Sequence, residues 1–577
     1  MHKLKNYIFS LFFTIVSFVI VFGIFKPIFY SDTIIFTFAI HPFNICEEQP
    51  LIWNIIKFLF IFDYLFSNFI IFNSVFSKIF FKKSKSKTNI TKNNSNELNL
   101  KIGFNSSKNL INIPEKSLYQ NILVTGTIGT GKTSSAMYPF TEQLIEYKSN
   151  TPDEKLGMLI LDVKGNYYSK VNELCLKHKR EDDLIIIDLS GNIKYNPLDK
   201  PHLNASVLAD RLKTILLLFS PNNSEDFWLD KVSQILTESI KLCRLYNNSY
   251  VTFEELHNLI FFKDYYLEKV KLSKELFIKN TFSTEQVYNL LSSLNFFEKE
   301  YYSLDDRTIS ILKSEVSRIT NLFISDYKVK NTFCPKKEDI NFFGFSEVIK
   351  KGKIVVLNMN IANYKNLSKL IATYLKLDFQ TEVIARLNNP SFNKNSNFLD
   401  IFNSTSNRPV CFISDEYQEY VTLSDSTFFA QSREAKCINI VSTQSYTSLL
   451  NTLNNEASVK VIIQNLVNKL WFRNDDIFTI EEAQKQVGKE EKKKTSKTIS
   501  ENAKETNYNY FFNNFLSKNS NISESINSYF QTDYIYDINF FTRNLETFSC
   551  LAFLSDGTKI LTPQKLKLIP YFKGGKT

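Results

Sequence analysis

Short runs of apolar residues, most of them ending in polar or acidic residues, recur between positions 122 and 472 of the chain. Because these runs are apolar at consecutive positions, they predict strands with both faces buried, as in a parallel sheet covered by helices. The runs are Met158–Leu161, Leu184–Ile187, Ile354–Leu357, Val410–Ser414, Ile438–Ser442 and Lys469–Phe472, besides a run from Ile122 that leads into a glycine-rich loop. The pattern therefore predicts a layered α/β core.

The N-terminal region carries two much longer apolar stretches. Residues 8–25 contain no charged residue and are flanked by lysines, which is typical of a membrane-crossing helix. Residues 52–76 are also apolar but include Lys57 and Asp63. We expect two membrane spans. A cleaved signal peptide is the alternative for the first stretch, but Lys26 and Pro27 follow it instead of the small residues of a cleavage site.

Lysine positions decide the predicted orientation of these spans. The loop between them has no lysine before Lys57, whereas a lysine cluster at positions 78–87 follows the second span. Both ends should therefore face the cytoplasm. The cluster could bind nucleic acid, although contact with anionic lipid is the more common role of a basic segment at this place. Residues 83–99, rich in Lys, Ser and Asn, predict a basic linker.

Length and composition narrow the class of protein further. At about 150 residues a domain, 577 residues give three or four units. The formal charge of +10 favours an anionic partner, but the abundance of Lys, Asn, Ile and Phe is typical of an AT-rich genome and weakens that inference. The seven cysteines stand singly and only five histidines are present, so neither a disulfide framework nor a zinc site is indicated.

A phosphate-binding loop is the strongest chemical signal. The sequence NILVTGTIGTGKTSS fits the pattern GxxxxGK[ST] between a strand and a helix. Its predicted nucleotide-binding residues are Gly126, Thr127, Ile128, Gly129, Thr130, Gly131, Lys132, Thr133 and Ser134. Backbone amides of the loop would surround the β-phosphate, Lys132 would reach the β- and γ-phosphates, and the hydroxyl of Thr133 would bind Mg²⁺.

Acidic and polar residues at two later strand ends complete the predicted site. Asp415 and Glu416 follow the run Val410–Ser414, where Asp415 would bind Mg²⁺ and Glu416 would orient or deprotonate the attacking water. Gln444 follows the next strand and would lie near the γ-phosphate, because ligands of such sheets lie at the carboxyl ends of the strands. Arg433, between the two strands, is either an arginine finger or part of a surface salt bridge.

These motifs resemble, in order, those of the type IV coupling proteins, the TraG/TraD-like ATPases of conjugation and type IV secretion. The similarity rests on two N-terminal apolar stretches, the phosphate loop, LILDVKG, KYNPLD, FISDEYQEYVT, SREAK, IVSTQS, NKLWFR and GTKILTPQKLKLIPYF. Together these segments span most of the chain after residue 100. The phosphate loop alone is generic, whereas the ordered combination is specific.

The resemblance implies a fold, a reaction and partners. The fold would be α/β, a RecA-like P-loop NTPase motor domain with an inserted all-helical domain and an N-terminal two-helix transmembrane stem. The protein would be a multi-pass inner-membrane ATPase with its motor in the cytoplasm, forming a homo-hexamer that uses ATP and Mg²⁺. Its implied partners are relaxase-bound, single-stranded DNA, relaxosome proteins, channel proteins of a type IV secretion system and membrane lipid.

By position in the motifs, the resemblance also assigns roles to residues. Lys132 and Thr133 would act in the phosphate loop, Asp415 and Glu416 in the second acidic motif, and Gln444 as the sensor of hydrolysis. Arg433 matches the family's finger, which would complete the site of a neighbouring protomer. The resemblance therefore favours an arginine finger over a surface salt bridge as the role of Arg433.

The predicted layout places the stem at 1–82, the linker at 83–99 and the first part of the motor at 100–204. The inserted helical domain would occupy 205–337, where apolar residues recur at helical spacing, and the second part of the motor 338–577, with the acidic strand end, the sensor and a C-terminal strand. Two polar stretches, at 388–407 and 488–509, predict surface loops.

Other functions stay open at this level. A protein-only secretion coupling factor would use the same motor without functional DNA binding. A DNA pump of the FtsK type would normally carry more membrane spans and a C-terminal winged helix, neither of which is visible. A membrane-anchored NTPase switch would turn over slowly and independently of DNA.

Overall fold

An eleven-stranded mixed sheet organises residues Leu98–Thr577. The computed structural model describes residues 10–21, 50–82, 97–219, 226–279, 282–388, 408–501, 506–509, 514–517 and 522–576. Its strands are β1 Asn99–Asn105, β2 Leu110–Pro114, β3 Ile122–Thr125, β4 Gly157–Leu161, β5 Leu184–Ile187, β6 Ile354–Leu357, β7 Val410–Ser414, β8 Cys437–Thr443, β9 Asn468–Phe472, β10 Lys489–Glu501, β11 Thr506–Asn509, β12 Asn514–Ser517, β13 Ile522–Tyr534, β14 Ser549–Phe553 and β15 Gln564–Lys567.

The sheet has the order β2-β1-β15-β14-β9-β3-β8-β7-β4-β6-β5. From β9 to β5 all neighbouring strands are parallel. From β9 to β2 all neighbours are antiparallel. The prediction of a layered α/β core is therefore confirmed for the parallel part, whose strands are the apolar runs seen in the sequence.

Helices cover both faces of the sheet. Ile122 and Val124 of β3 are buried in one apolar cluster, and Leu123 is buried in the other, as the alternation of a strand requires. The α-helices are 10–21, Pro50–Lys82, Glu115–Leu118, Tyr138–Glu146, Tyr167–Lys177, Ala205–Phe219, Asp226–Tyr246, Phe253–Phe261, Lys263–Ile278, Thr284–Asn295, Asp306–Ile324, Tyr327–Phe333, Phe345–Lys351, Ile361–Ala385, Asp425–Gln431, Tyr446–Leu453, Glu456–Asn465 and Ile477–Val487.

The segment predicted as an inserted domain, 205–337, contains α-helices and no strand among its described residues. Helix Ala205–Phe219 is joined to helix Ile361–Ala385 by a buried ion pair of 2.9 Å between Arg211 and Asp378. Lys200 pairs with the same carboxylate at 3.1 Å. The domain boundaries themselves stay a prediction.

The N-terminal unit, Met1–Glu97, has two described helices, residues 10–21 and Pro50–Lys82. Among the helices that the structure describes, none is both long enough and apolar enough to cross a membrane. The predicted spans at 8–25 and 52–76 are therefore not supported among the described residues, and residues 8, 9 and 22–25 of the first one lie outside them.

The prediction of a surface loop at 488–509 is wrong for most of its length. Strands β10 and β13 pair in antiparallel register from Lys489 with Tyr534 to Glu501 with Ile522, and form a two-stranded ribbon. Its side chains are largely exposed, so no buried apolar face marks it in the sequence. Most of the predicted linker and of the predicted loop at 388–407, namely residues 83–96 and 389–407, lie outside the described residues.

Candidate nucleotide site

The candidate site lies at the carboxyl ends of four adjacent parallel strands, β3, β8, β7 and β4. Thr125, the last residue of β3, pairs with Thr443 of β8, and Ser414 of β7 pairs with Leu161 of β4. Because the strands end in register, the residues that follow them emerge at one edge of the sheet. The phosphate loop, Gln444, the pair Asp415 and Glu416, and Asp162 therefore come together, as the sequence predicted for the first three.

Close packing of the phosphate loop explains two of its glycines. A Cβ atom at Gly126 would lie 2.6 Å from the Cβ atom of Phe472, at the end of β9. A Cβ atom at Gly131, whose φ is +91°, would lie 2.4 Å from the ring of Phe548. The loop thus passes between β9 and the residue preceding β14, and larger residues do not fit at either position.

Lys132 lies inside this loop and is 7% exposed. Its Nζ donates hydrogen bonds to the carbonyl oxygens of Gly126 at 2.5 Å and Thr127 at 3.2 Å. Burial lowers the pKa of Lys132, against the opposing effect of the Glu416 and Asp415 carboxylates. The ammonium group is therefore enclosed by the loop and close enough to the acidic pair for the charges of Glu416 and Asp415 to act on it.

Thr133 and Asp415 are in direct contact. The Thr133 hydroxyl donates a 2.7 Å hydrogen bond to Oδ2 of Asp415. Burial raises the pKa of Asp415, and the bond from Thr133 acts in the opposite direction. A hydroxyl beside a carboxylate supplies the hard oxygen ligands that Mg²⁺ prefers. Within the described part of the chain, no group of three or more His, Cys, Asp or Glu side chains could hold a metal ion.

Mg²⁺ usually takes one or two protein oxygens and completes its shell with substrate phosphates and water. The hydroxyl of Thr133, at the first turn after the phosphate loop, and the carboxylate of Asp415, at the end of β7, therefore fit Mg²⁺ bound together with a nucleotide. They do not fit a metal held by protein ligands alone.

Glu416 is held by three side chains. Its Oε2 accepts hydrogen bonds from Nε2 of Gln418 at 2.9 Å and of Gln444 at 3.1 Å, and its Oε1 pairs with Nζ of Lys164 at 3.2 Å. Burial would raise the pKa of Glu416, but the two amide bonds and the charge of Lys164 together lower it. Its backbone is left-handed, with φ of 51°, a conformation that non-glycine residues adopt at sites where the surroundings enforce it. The carboxylate is thus ionised and oriented.

Gln444 connects the acidic pair to the end of β9. Its side chain donates to Glu416, and its backbone carbonyl oxygen accepts a 2.9 Å hydrogen bond from Nδ2 of Asn474. Thr443, the preceding residue, donates to Oε1 of Gln418 at 2.9 Å. The side chain predicted to sense hydrolysis is therefore in contact with the residue predicted to activate water.

Arg433 lies away from this site. It follows helix Asp425–Gln431 and precedes β8, whereas Gln444 follows β8. The seven residues of β8 separate the two by about 20 Å at 3.3 Å per residue. Arg433 is exposed, and within the described part of the chain no carboxylate lies within ion-pair distance of it. Among those residues, Arg433 therefore has no partner for the surface salt bridge that was the alternative to an arginine finger.

A protein-family model, described as the TraM recognition site of TraD and TraG, matches residues 409–529. The matched segment contains Asp415, Glu416, Arg433 and Gln444. The resemblance to the TraG/TraD-like coupling proteins is confirmed.

Comparison with solved structures gives three similar chains. The bacterial conjugative coupling protein TrwBdeltaN70 is 11% identical, with a TM-score of 0.49, covering 81% of this chain and 88% of that one. The plasmid coupling protein TrwB in complex with the ATP analogue ADPNP is 12% identical, with a TM-score of 0.48 and coverages of 82% and 91%. VirB4 of Thermoanaerobacter pseudethanolicus is 12% identical, with a TM-score of 0.46 and coverages of 82% and 98%. No curated protein sequence is similar enough to count as a match.

The candidate site includes residues to which the sequence had assigned no role. Lys164 and Asp162 belong to the LDVKG segment, and Asp162 accepts hydrogen bonds from the backbone amides of Lys164, Asn166 and Tyr167. These bonds shape the turn that brings Lys164 to Glu416. The signal available in the sequence was an acidic residue directly after a buried strand, the same signal that identified Asp415.

Arg473 is a second residue that the sequence analysis missed. It follows β9, the neighbour of β3, and its carbonyl oxygen accepts hydrogen bonds from the amide of Thr127 at 2.9 Å and the hydroxyl of Thr127 at 3.2 Å. Its side chain is exposed and makes no ion pair within the described residues. An arginine directly after a strand at the carboxyl edge was the signal that could have found it.

Proposed function

We propose that this chain is an ATPase that couples DNA, held by a relaxosome, or protein substrates to a type IV secretion or conjugation channel. One observation carries the proposal: the phosphate loop, the pair Thr133 and Asp415, and the pair Glu416 and Gln444 meet at one edge of a parallel sheet, in a chain that matches the TraG/TraD family model. An association with the inner membrane is part of this proposal, since the family works there.

ATP and Mg²⁺ are the proposed ligands of the site. Backbone amides between Gly126 and Ser134 and Nζ of Lys132 would hold the phosphates, and Thr133 and Asp415 would hold Mg²⁺. Bound Mg²⁺ supplies positive charge that neutralises the phosphate oxygens. The relative TrwB is known in complex with ADPNP and, in another structure, with ADP and Mg²⁺.

The chain's own residues would then prepare water for attack. Glu416, whose pKa is lowered, stays ionised and can accept a proton at a carboxylate oxygen. Gln444 and Gln418 fix that carboxylate through their amide groups. Arg473, next to Thr127, offers a further positive charge at the loop.

We also propose that Arg433 acts on the nucleotide of a neighbouring protomer in a homo-hexameric ring. Its distance from the site of its own chain and its unpaired, exposed side chain support this role. A finger supplied in trans would make each site depend on its neighbour.

The test is ATP hydrolysis by the full chain, titrated with single-stranded and double-stranded DNA at about 50 mM and about 200 mM salt. A DNA motor should be stimulated by DNA, and less so at the higher salt, because phosphate contacts weaken with salt. The Lys132→Ala variant should show no turnover and serves as the control for a contaminating enzyme. Turnover that DNA leaves unchanged would favour protein-only coupling or an NTPase switch, and no turnover by the unsubstituted chain would contradict the proposal.

A further inference from the structure

A cavity of about 420 Å³ lies on the opposite face of the sheet from the helix that follows the phosphate loop. Leu470 and Phe472 of β9 are buried in the cluster that contains that helix, so alternation along β9 directs Lys469 to the other face. The cavity lies between helices Glu456–Asn465 and Ile477–Val487. Its apolar wall consists of Ile463, Val467, Phe478, Phe553 and Ile560.

Lys469 lines this cavity and is 3% exposed. Its Nζ lies 5.8 Å from the centre of the Phe553 ring, and within the described part of the chain it has no hydrogen-bond or ion-pair partner. Burial lowers the pKa of Lys469 to about 8. Around neutral pH the side chain is therefore still mostly charged, and a buried charge without a counter-ion is unfavourable.

The other buried lysines are all paired with oxygen atoms. Lys132 donates to the carbonyls of the phosphate loop, Lys200 pairs with Asp378 at 3.1 Å, and Lys376 pairs with Asp425 at 2.5 Å. Lys469 is the exception among the buried lysines that the structure describes. Its ammonium group therefore has unused donors aimed into a cavity large enough for a small organic molecule.

We propose that this cavity binds a carboxylate joined to an apolar body. The ammonium of Lys469 pairs with the carboxylate, and the rings of Phe478 and Phe553 contact the apolar part. The other charged side chains that line the cavity are Lys460 and Glu482. Lys460 pairs with Glu456 at 2.7 Å and Glu482 pairs with Lys485 at 2.9 Å. Among the described residues, Lys469 therefore carries the one unpaired charge of the lining, which matches a monoanion rather than a phosphate dianion.

The first experiment is calorimetric titration of the full chain at about pH 7 with 3-phenylpropionate and with its neutral amide, 3-phenylpropanamide. The acid should bind at least ten-fold more tightly than the amide, because only the acid can pair with Lys469. At about pH 9.5 the affinity for the acid should fall at least ten-fold, since Lys469 is then largely neutral, while the affinity for the amide stays constant. Equal affinity for acid and amide, or no binding of the acid, would overturn the proposal.

Two variants assign the effect to one residue. Lys469→Met keeps the length of the side chain, removes the charge and should abolish the preference for the acid. Removing an unpaired buried charge is not expected to destabilise the fold. Lys350→Met, at an exposed lysine outside the cavity, should retain the preference. A preference for the acid that survives Lys469→Met would contradict the assignment, and the acid and amide comparison on the unsubstituted chain decides the proposal if that variant fails to fold.

A second experiment distinguishes a peptide carboxyl terminus from a small organic acid as the ligand. The tripeptide Gly-Gly-Phe with a free carboxyl terminus is compared with its C-terminal amide. Binding of the free acid form of the peptide with the same dependence on Lys469 would identify the ligand as a peptide terminus. Binding of 3-phenylpropionate alone would identify a small organic acid. Failure of both to bind would overturn the inference and leave the proposed nucleotide site, at the carboxyl edge of the sheet, unaffected.

Discussion

The hydroxyl of Thr133 donates a 2.7 Å hydrogen bond to the carboxylate of Asp415, although the two residues are 282 positions apart in the chain. The bond joins the first turn after the phosphate loop to the end of β7. It brings together the two oxygen atoms that we propose as ligands of a nucleotide-bound Mg²⁺, and the loop that follows β7 places Glu416 next to them. The chemistry of the site therefore depends on the register of β7 relative to β3 across the intervening strand β8.

Replacement of Glu416 should separate nucleotide binding from hydrolysis. Glu416→Gln removes the negative charge but keeps the size of the side chain, so turnover should fall by about 10²- to 10⁴-fold, the usual contribution of a general base. ATP affinity should change by less than about three-fold. Turnover is measured by phosphate release and affinity by calorimetry.

The matched control is Glu434→Gln, at an exposed residue beside Arg433. It should leave both quantities unchanged. Full turnover of the Glu416→Gln variant would remove Glu416 from the proposed mechanism.

Arg433 should act between protomers. Arg433→Ala alone should have no turnover, because every site in the ring would then lack the arginine of its neighbour. In mixtures with Lys132→Ala, some interfaces combine an intact Arg433 with an intact Lys132, and part of the activity should return. Turnover is measured across mixing ratios at constant total protein.

An assembled mixture without any recovered activity would contradict the role in trans. Size-exclusion chromatography of each variant checks assembly. Since Arg433 is exposed and without an ion pair in the described residues, its loss should not affect folding.

Arg473 should help the site to distinguish ATP from ADP. Arg473→Ala removes the exposed guanidinium but keeps the backbone carbonyl that holds Thr127, so the loop should keep its conformation. The preference for ATP over ADP should decrease by about ten-fold to about a hundred-fold, as expected for one charged hydrogen bond to a terminal phosphate. Calorimetry with both nucleotides measures the preference, and Arg307→Ala, at an exposed arginine outside the site, is the control. A uniform loss of both affinities would instead indicate a structural role.

Asp378 should be important for stability rather than for catalysis. Lys200 and Arg211 pair with its buried carboxylate and lower its pKa, although burial alone would raise it. Asp378→Asn leaves two buried cations without a counter-ion and should lower the free energy of unfolding by about 3–5 kcal/mol. Urea unfolding measures the difference, and Asp230→Asn, at an exposed aspartate, should change it little.

The ion pairs of Asp378 with Lys200 and Arg211 also predict that stability depends on pH. Because the folded pKa of Asp378 is below the unfolded value of about 3.9, its stabilising contribution is complete above that value and is lost as the pH falls through the folded pKa. The unsubstituted chain should therefore lose stability below about pH 4 more steeply than Asp378→Asn. Parallel slopes of the two proteins would contradict this assignment.

Buried strands and the phosphate loop could be predicted because their physical constraints are local. A parallel strand with two covered faces is apolar at most positions, and a loop that passes close to phosphates contains glycine. Asp415, Glu416 and Gln444 were found in the same way, as polar residues that end such strands.

Residues positioned by tertiary contacts could not be predicted. Lys164 reaches Glu416 only because β4 lies beside β7, and Arg473 reaches Thr127 only because β9 lies beside β3. The ribbon of β10 and β13 was missed because exposed strands carry no apolar periodicity. Lys469 stands in β9 between Asn468 and three apolar residues, and nothing in the sequence distinguishes an unpaired buried lysine from a paired one.

The contact of Phe548 with the phosphate loop connects this loop directly to the C-terminal strands. The amide of Phe548 donates to the carbonyl of Thr130 at 3.0 Å, and its ring occupies the space beside Gly131. Residues 549–567, which add β14 and β15 to the sheet, thus begin directly beside the loop. We expect a displacement of the loop on nucleotide binding to shift the antiparallel edge of the sheet as well.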